Sequence, residues 1–294
     1  MPVDHTNNLT LRILQAAHEG GYAINAQSCY DAQSVIALVR AAEEARSPAL
    51  CQLFPVTMAQ FGKPFVKFCL DTCHAASVPI AVHLDHAASD EDITRALDWA
   101  EQGVALDSIM IDCSHHDTDE DNIAMAKPYV QRANSLGMAV EVELGRLAGG
   151  EAGVRVIEEG MLTKPEKASR FLTELGAQML APSIGNIHGR YVNPPAFRLE
   201  LLEALQSAVG PGTAANSYLV LHGTDDLPDE LFRDCVRRGA YKINVNSWAR
   251  DPQVEFWAKH LEKDPLPDVY EGGMQQFAKV CNRFFHLLGS AGKA

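Results

Sequence analysis

The chain has 294 residues, 47% of them hydrophobic and 21% charged, enough to bury a sizeable core within one domain. Its 25 basic and 38 acidic residues leave a formal charge of −13. A broadly acidic surface repels phosphate backbones and anionic headgroups, so neither nucleic acid nor membrane is an expected partner.

In chain order, the opening "MPVDHTNNLT" lacks the basic and apolar segments of a secretion signal. Seven cysteines without a CxxC pair read as reduced thiols, so a cytoplasmic enzyme is the expected class. Short β-branched apolar runs then alternate with amphipathic stretches. "GYAIN" (21–25) precedes "DAQSVIALVRAAEEAR" (31–46), whose Val35, Leu38, Val39 and Ala42 share one helical face. "ALCQLF" (49–54) and "PIAVHLD" (79–85) come next. "SDEDITRALDWAEQG" (89–103) follows, with Ser89 as N-cap, acids in the first turn and Gly103 as the stop. "SIMID" (108–112), "MAVEVELG" (138–145), "QMLAPSI" (178–184), "YLVLHG" (218–223) and "YKINV" (241–245) complete eight runs. Eight strand–helix units predict an α/β fold: a single-domain (β/α)8 barrel over 1–250, extended by C-terminal helices over 251–294. A doubly wound open sheet is the alternative, but its usual glycine-rich first turn is missing from "NAQSCYD". In the extension, "VEFWAKHL" and "GMQQFAKVCNRFFHLL" predict two amphipathic helices joined by a loop at 261–273.

Barrel chemistry sits where strands end and the following loops begin. Asn25, Asp85, His86, Asp112, Glu143, His188, His222 and Asn244 are expected there, contributed by separate units. A buried strand that finishes on His83, Asp85 and His86 needs partners for three polar groups, and a metal or a proton-transfer task supplies them. His86, His188 and His222 have the composition of a catalytic zinc site with an open position, although each alone could be an ordinary hydrogen-bonded histidine. His83 reads as structural, or as support for a ligand. Glu141 and Glu143 share a strand face, so one of them can serve simply as the partner of a lysine or arginine. His115 and His116 lie in an acidic loop, "DCSHHDTDEDN", where solvation and a direct role are both open.

The segments "VHLDHA", "SIMIDCSHHDTDEDNIAMAKPYV", "VEVELGRLAGGEAG", "LAPSIGNIHGRY" and "LVLHG", in this order, resemble the class II, metal-dependent fructose- and tagatose-bisphosphate aldolases. The resemblance implies a (β/α)8 barrel with Zn2+ on His86, His188 and His222, and leaves open the need for a monovalent cation as well. It implies Asp85 as the acid/base beside the metal, Asp112 and Glu143 near the metal or at an alternative metal position, and Glu151 as a loop glutamate that carries a proton to the enediolate carbon. Asn25, Gly189, Gly223, Asn244 and Ser247 match substrate-contacting positions. The implied substrate is a ketose or ketose phosphate, and the implied assembly a homodimer or higher homo-oligomer. Such chemistry stores a carbanion as an enediolate, and a Lewis-acidic metal removes the need for a Schiff-base lysine.

The chain departs from that family's pattern at the phosphate. Phe54 stands where a serine is usual, Val192 where a lysine is usual, and a glycine-rich "GGSG" after the third histidine reads "GTDD". Glycine-rich turns cradle phosphate through backbone N–H groups, whereas Thr224, Asp225 and Asp226 bring carboxylates toward it. The expectation is an aldolase with a rebuilt phosphate end; alternatively the aspartates face solvent and phosphate still binds. Arg190 and Arg250 are candidate replacement cations. Two rival functions are a metal-dependent hydrolase, whose usual HxH on the first strand is lacking, and a non-catalytic or regulatory paralogue, which the retained acids and histidines oppose.

Overall fold

The computed structural model describes residues 6–112, 118–145, 148–149, 161–191 and 195–294. Helix α1 (Leu9–Gly20) starts where the Asn8 side chain accepts from Leu11 N, and it stops at Gly21 in the left-handed region. β1 (Ile24–Ser28) leads to α2 (Ala32–Ala45), which a capping box between Asp31 and Ser34 initiates and whose buried face includes Val35, Leu38, Val39 and Ala42. β2 (Ala49–Leu53), α3 (Pro55–His74), β3 (Ile80–Ala87) and α4 (Asp90–Glu101) follow, the last capped by Ser89. The second part comprises β4 (Ser108–Ile111), α5 (Asp119–Ser135), β5 (Ala139–Leu144), β6 (Ala148–Gly149), α6 (Pro165–Leu175) and β7 (Met179–Pro182). The chain continues through β8 (Ile187–His188), α7 (Leu199–Val209), β9 (Tyr218–Leu221), α8 (Asp229–Arg237), β10 (Ala240–Val245), α9 (Ser247–His260) and α10 (Leu266–Leu287).

Eight strands close a barrel in the order β1–β10–β9–β7–β5–β4–β3–β2, with every neighbouring pair parallel. This is the (β/α)8 architecture expected from the eight runs. Both faces of such strands are covered, which is why the runs read as nearly continuous apolar segments. Outward residues such as Cys51, Val82, Ile109 and Val140 join the layer beneath the helices, while Ile24, Ala26, Leu50, Ala81, Ala139 and Val220 fill the interior. The short parallel pair β6–β8 lies apart from the barrel sheet. No described helix is long and apolar enough to cross a membrane. All six described cysteines are free and buried, packed as small apolar side chains.

Two expectations need correction. The pattern predicts the first strand at 21–25, but Gly21 ends α1 and the strand begins only at Ile24, so Asn25 is the second residue of β1 rather than its end. The loop expected at 261–273 is much shorter, because α10 begins at Leu266. Pro267 suits its first turn, and Gly272 and Gly273 mark a close crossing rather than a turn: a Cβ there would meet the rings of Phe256 and Trp257 at 2.2 Å.

Candidate metal centre

The answer to how three consecutive-looking polar residues at the end of β3 can all face inward lies in the backbone. His83 and Asp85 alternate toward the interior as a strand requires. His86 should then face the helices. Instead the β3–β4 register slips between Leu84 and Ala87, and His86 adopts φ 51°. A bulge of this kind re-aims a side chain, and a non-glycine residue in the left-handed region marks a position held there by its surroundings.

His222 follows β9 directly, and His188 is brought to it by the segment around β8. Asn186 Nδ2 donates to His222 O at 3.0 Å, and the Tyr191 hydroxyl donates to Gly223 O at 2.8 Å. Gly223 makes this approach possible: its φ is 65°, and a Cβ would meet Ile187 O at 2.2 Å. The His86 ring centroid thereby lies 4.9 Å from that of His188 and 4.8 Å from that of His222, and the latter two are 5.9 Å apart.

His86, His188, His222 and Glu143 are buried and offer ligand atoms that all lie within 4.8 Å of one another. His86 Nε2 and His222 Nδ1 are 3.1 Å apart. Two nitrogens on a tetrahedral zinc at about 2.1 Å would be separated by about 3.4 Å, so this donor set fits a divalent metal in both chemistry and spacing. The far nitrogens of two rings are backed by carboxylates, His86 Nδ1 by Asp112 Oδ2 at 3.2 Å and His222 Nε2 by Glu141 Oε1 at 2.8 Å. Such partners fix ring orientation and leave the opposite nitrogen for a metal. Burial opposes charge on His86, but Asp85, Asp112 and Glu143 outweigh it and raise the His86 pKa to about 10. The surroundings therefore favour a positive charge at this point.

Behind the cluster the interior stays polar. Burial pushes the Glu141 carboxyl up, but Lys242, His222 and His83 more than reverse this and hold it well below the usual range. Lys242 Nζ lies 2.9 Å from Glu141 Oε2. His83 is kept neutral, its pKa lowered to about 3 by burial and by Lys242; its Nδ1 pairs with Ser108 Oγ at 2.8 Å. Asp85 accepts from Asn244 Nδ2 at 3.1 Å and from Gln52 Nε2 at 3.3 Å.

Beside Asp85 is a small cavity lined also by Ser28, Gly189, Gly223, Thr224, Asp225, Asn244 and Asn246. The Ser247 hydroxyl donates to the Asp225 carboxylate. Phe54 is buried; its ring lies 5.8 Å from Tyr30 and is near-parallel to His86 at 6.5 Å. Arg190 is exposed and faces Asp226 and Asp251, while Arg250 pairs with Asp251.

Thus His86, His188, His222, Glu143, Asp85, Asn244, Gly189, Gly223 and Ser247 come together. Asp112 stands behind His86 instead of within the ligand cluster. Asn25 does not reach the mouth: it sits between inward Ile24 and Ala26, so its side chain faces the helical layer, as Gln27 does in meeting Cys281 of α10. Ser28, at the carboxyl end of the same strand, takes that place. Glu151, His115, His116 and Val192 lie outside the described residues. Sequence reasoning overlooked Lys242 and Gln52, although a lysine inside the apolar run "YKINV" was itself a signal, since a buried ammonium needs partners.

A family model described as fructose-bisphosphate aldolase class-II matches residues 8–293. A protein of Coccidioides immitis (strain RS), provisionally named a fructose-bisphosphate aldolase, is 36% identical over 98% of this chain and 95% of its own. A crystal structure of a provisionally named fructose-1,6-bisphosphate aldolase from Coccidioides immitis superposes with a TM-score of 0.92 at 35% identity, covering 98% of each chain. The YdjI aldolase from Escherichia coli K12 superposes with a TM-score of 0.82 at 26% identity, over 96% of this chain and 97% of that one.

Proposed function

The chain belongs to the class II fructose-bisphosphate aldolase family, and from that premise we propose that it is a zinc-dependent aldehyde lyase that reversibly cleaves a ketose next to its carbonyl. The observation that carries this reading is the convergence of three imidazoles with Asp85 on one buried mouth. His86, His188 and His222 would hold the metal, with Glu143 as a further ligand. Bound there, Zn2+ supplies the positive charge that stabilises the developing enediolate.

The chain's own residues perform the proton work. Asp85 is 2% exposed and accepts from two amides, which hold its carboxylate in one orientation toward the cavity. In the cleavage direction it removes the hydroxyl proton of the carbon that leaves as an aldehyde. Glu151 is proposed to return a proton to the enediolate carbon. Gly189, Gly223, Asn244 and Ser247 would surround the ketose, and burial of the mouth keeps water from the carbanion.

The substrate is proposed to resemble fructose or tagatose bisphosphate with a changed phosphate end. Asp225 lines the cavity, and no lysine or arginine does so among the described residues. At about 4 Å and an effective dielectric near 20, each like-charge contact costs about 4 kcal/mol. An uncharged ketose end avoids that cost. A cytoplasmic homodimer joined through α9 and α10, supported by exposed Val254, Leu266 and Tyr270, completes the reading.

The test is a retro-aldol assay comparing fructose and tagatose 1,6-bisphosphates with unphosphorylated ketoses. Chelation should abolish cleavage and added Zn2+ restore it. Asp85→Asn should lower kcat by about 10^2–10^4 with metal content unchanged. Chelator-resistant cleavage would reject the metal reading. Full turnover of a bisphosphate that Asp225→Gly leaves unaltered would reject the rebuilt pocket.

A further inference from the structure

Resting on the reading that the histidines hold a divalent metal, we infer that Lys242 is a positioning residue whose single ammonium group orients both a metal-ligand imidazole and the catalytic carboxylate's amide partner. Lys242 lies on β10 with no exposed surface. Its Nζ is 2.9 Å from Glu141 Oε2 and donates to Asn244 Oδ1 at 2.8 Å. These two contacts begin two arms, which approach each other again where Asn244 Nδ2 lies 3.1 Å from His222 Nε2.

The first arm runs through Glu141. Its other oxygen, Oε1, is 2.8 Å from His222 Nε2. A carboxylate can only accept, so the shorter, charged contact assigns the ring proton to Nε2, and Asn244 Nδ2, 3.1 Å from the same nitrogen, then meets it without a hydrogen bond. Nδ1, which is 3.1 Å from His86 Nε2, is then left with its lone pair turned into the ligand cluster. Lys242 restrains Glu141 in the position that enforces this tautomer.

The second arm runs through Asn244, two residues along the same face of β10. An ammonium can only donate, so the amide oxygen must face Lys242 and the amide NH2 must face the other way. That side holds Asp85, at 3.3 Å from Oδ1 and 3.1 Å from Oδ2. Without Lys242 only the Asp85 carboxylate opposes a flip of the amide, and the oxygen side of Asn244 loses its donor.

Lys242 touches neither the cavity nor Asp85, so its role is distinct from catalysis. A lysine that merely neutralised Glu141 would support stability without setting the tautomer or the amide.

Two measurements decide. Nitrogen-resolved NMR of His222 in the metal-stripped, full-length wild-type protein should show Nε2–H; an Nδ1–H tautomer overturns the inference. Zn2+ affinity, measured by competition with a chromogenic chelator, should fall about 10–100-fold in Lys242→Met and in Glu141→Gln. Lys242→Met should lose more kcat than Glu141→Gln at similar KM, because it cuts both arms. Unchanged Zn2+ affinity in both variants overturns the inference and leaves the metal reading standing. A wild-type protein that binds no Zn2+ overturns that reading instead. If Lys242→Met does not fold, the wild-type tautomer and Glu141→Gln still give the answer.

Discussion

At the amino end of the barrel, Leu11, Leu14 and Ala17 of α1 seal an interior of Ile24, Leu50, Ala81, Ala139, Met179 and Val220. At the carboxyl end, the same strands turn inward His83, Asp85, Glu141, Glu143, His222, Lys242 and Asn244, all buried or nearly so. The change happens within two residues on one strand face: Ala81 to His83 on β3, Ala139 to Glu141 on β5, Val220 to His222 just past β9. The alternation of these side chains is the same at both ends, and the bulge at His86 is an addition at the carboxyl end. Burying the apolar end stabilises the fold, while the polar end returns little net stability for its desolvation and is held in place by mutual pairing. Stability and function are thereby stacked along one axis, and variants should separate them.

Leu14→Ala is expected to have the largest effect on the fold. Leu14 is fully buried in the seal, and truncating such a leucine costs about 2–5 kcal/mol. The urea midpoint should fall accordingly, while Zn2+ affinity of the folded protein stays within about twofold. Loss of affinity in step with stability would show that the two ends are not separable. Gly223→Ala should do the reverse. A side chain at its positive φ, pressed on Ile187 O, strains the backbone by about 1–3 kcal/mol. It should also push the segment bearing His188 away from His222, so Zn2+ affinity should fall by more than the stability loss accounts for. Equal Zn2+ affinity in this variant would remove the role assigned to the Gly223 approach.

How much of this was readable from the chain differs by the same axis. The strands, the Ser89 and Asp31 helix starts and the order of units follow from local patterns, which fix period and capping without tertiary information. The three histidines were legible because they stand next to strand ends; that one of Glu141 and Glu143 answers a cation was legible too, but which of them, Glu141, depends on where Lys242 lies. What failed were matters of phase and distance. Asn25 was misplaced because the glycine that caps α1 was read as the start of a strand, and one residue of phase decides which face a strand side chain takes. Gly272 and Gly273 looked like a loop because a close crossing with Phe256 and Trp257 cannot be seen in sequence. His86 was placed rightly at the mouth, but the register slip that turns it inward depends on how β3 meets β4.

The smallest effect expected comes from a single ion pair at the amino end. His74, the last residue of α3, places Nε2 2.9 Å from Asp107 Oδ2, an oxygen that also accepts from Val82 N at 2.7 Å. The hydrogen bond with Asp107 raises the His74 pKa against the opposing effect of partial burial. Because the folded value lies above the unfolded one, near 6.5, the stabilisation is fully present below about pH 6.5 and is lost as pH rises through the folded value. The His74 side chain is 42% exposed, so solvent screening limits the contribution to a few tenths of a kcal/mol. Comparing urea midpoints of wild type and His74→Gln at pH 5.5 and pH 8.5 isolates it. Glutamine donates a neutral hydrogen bond at both values, and the histidines of the mouth titrate alike in both proteins and cancel in the difference. Wild type should lead at pH 5.5 and lose its lead at pH 8.5; a gap that does not change with pH would mean that charge on His74 contributes nothing to holding the amino end together.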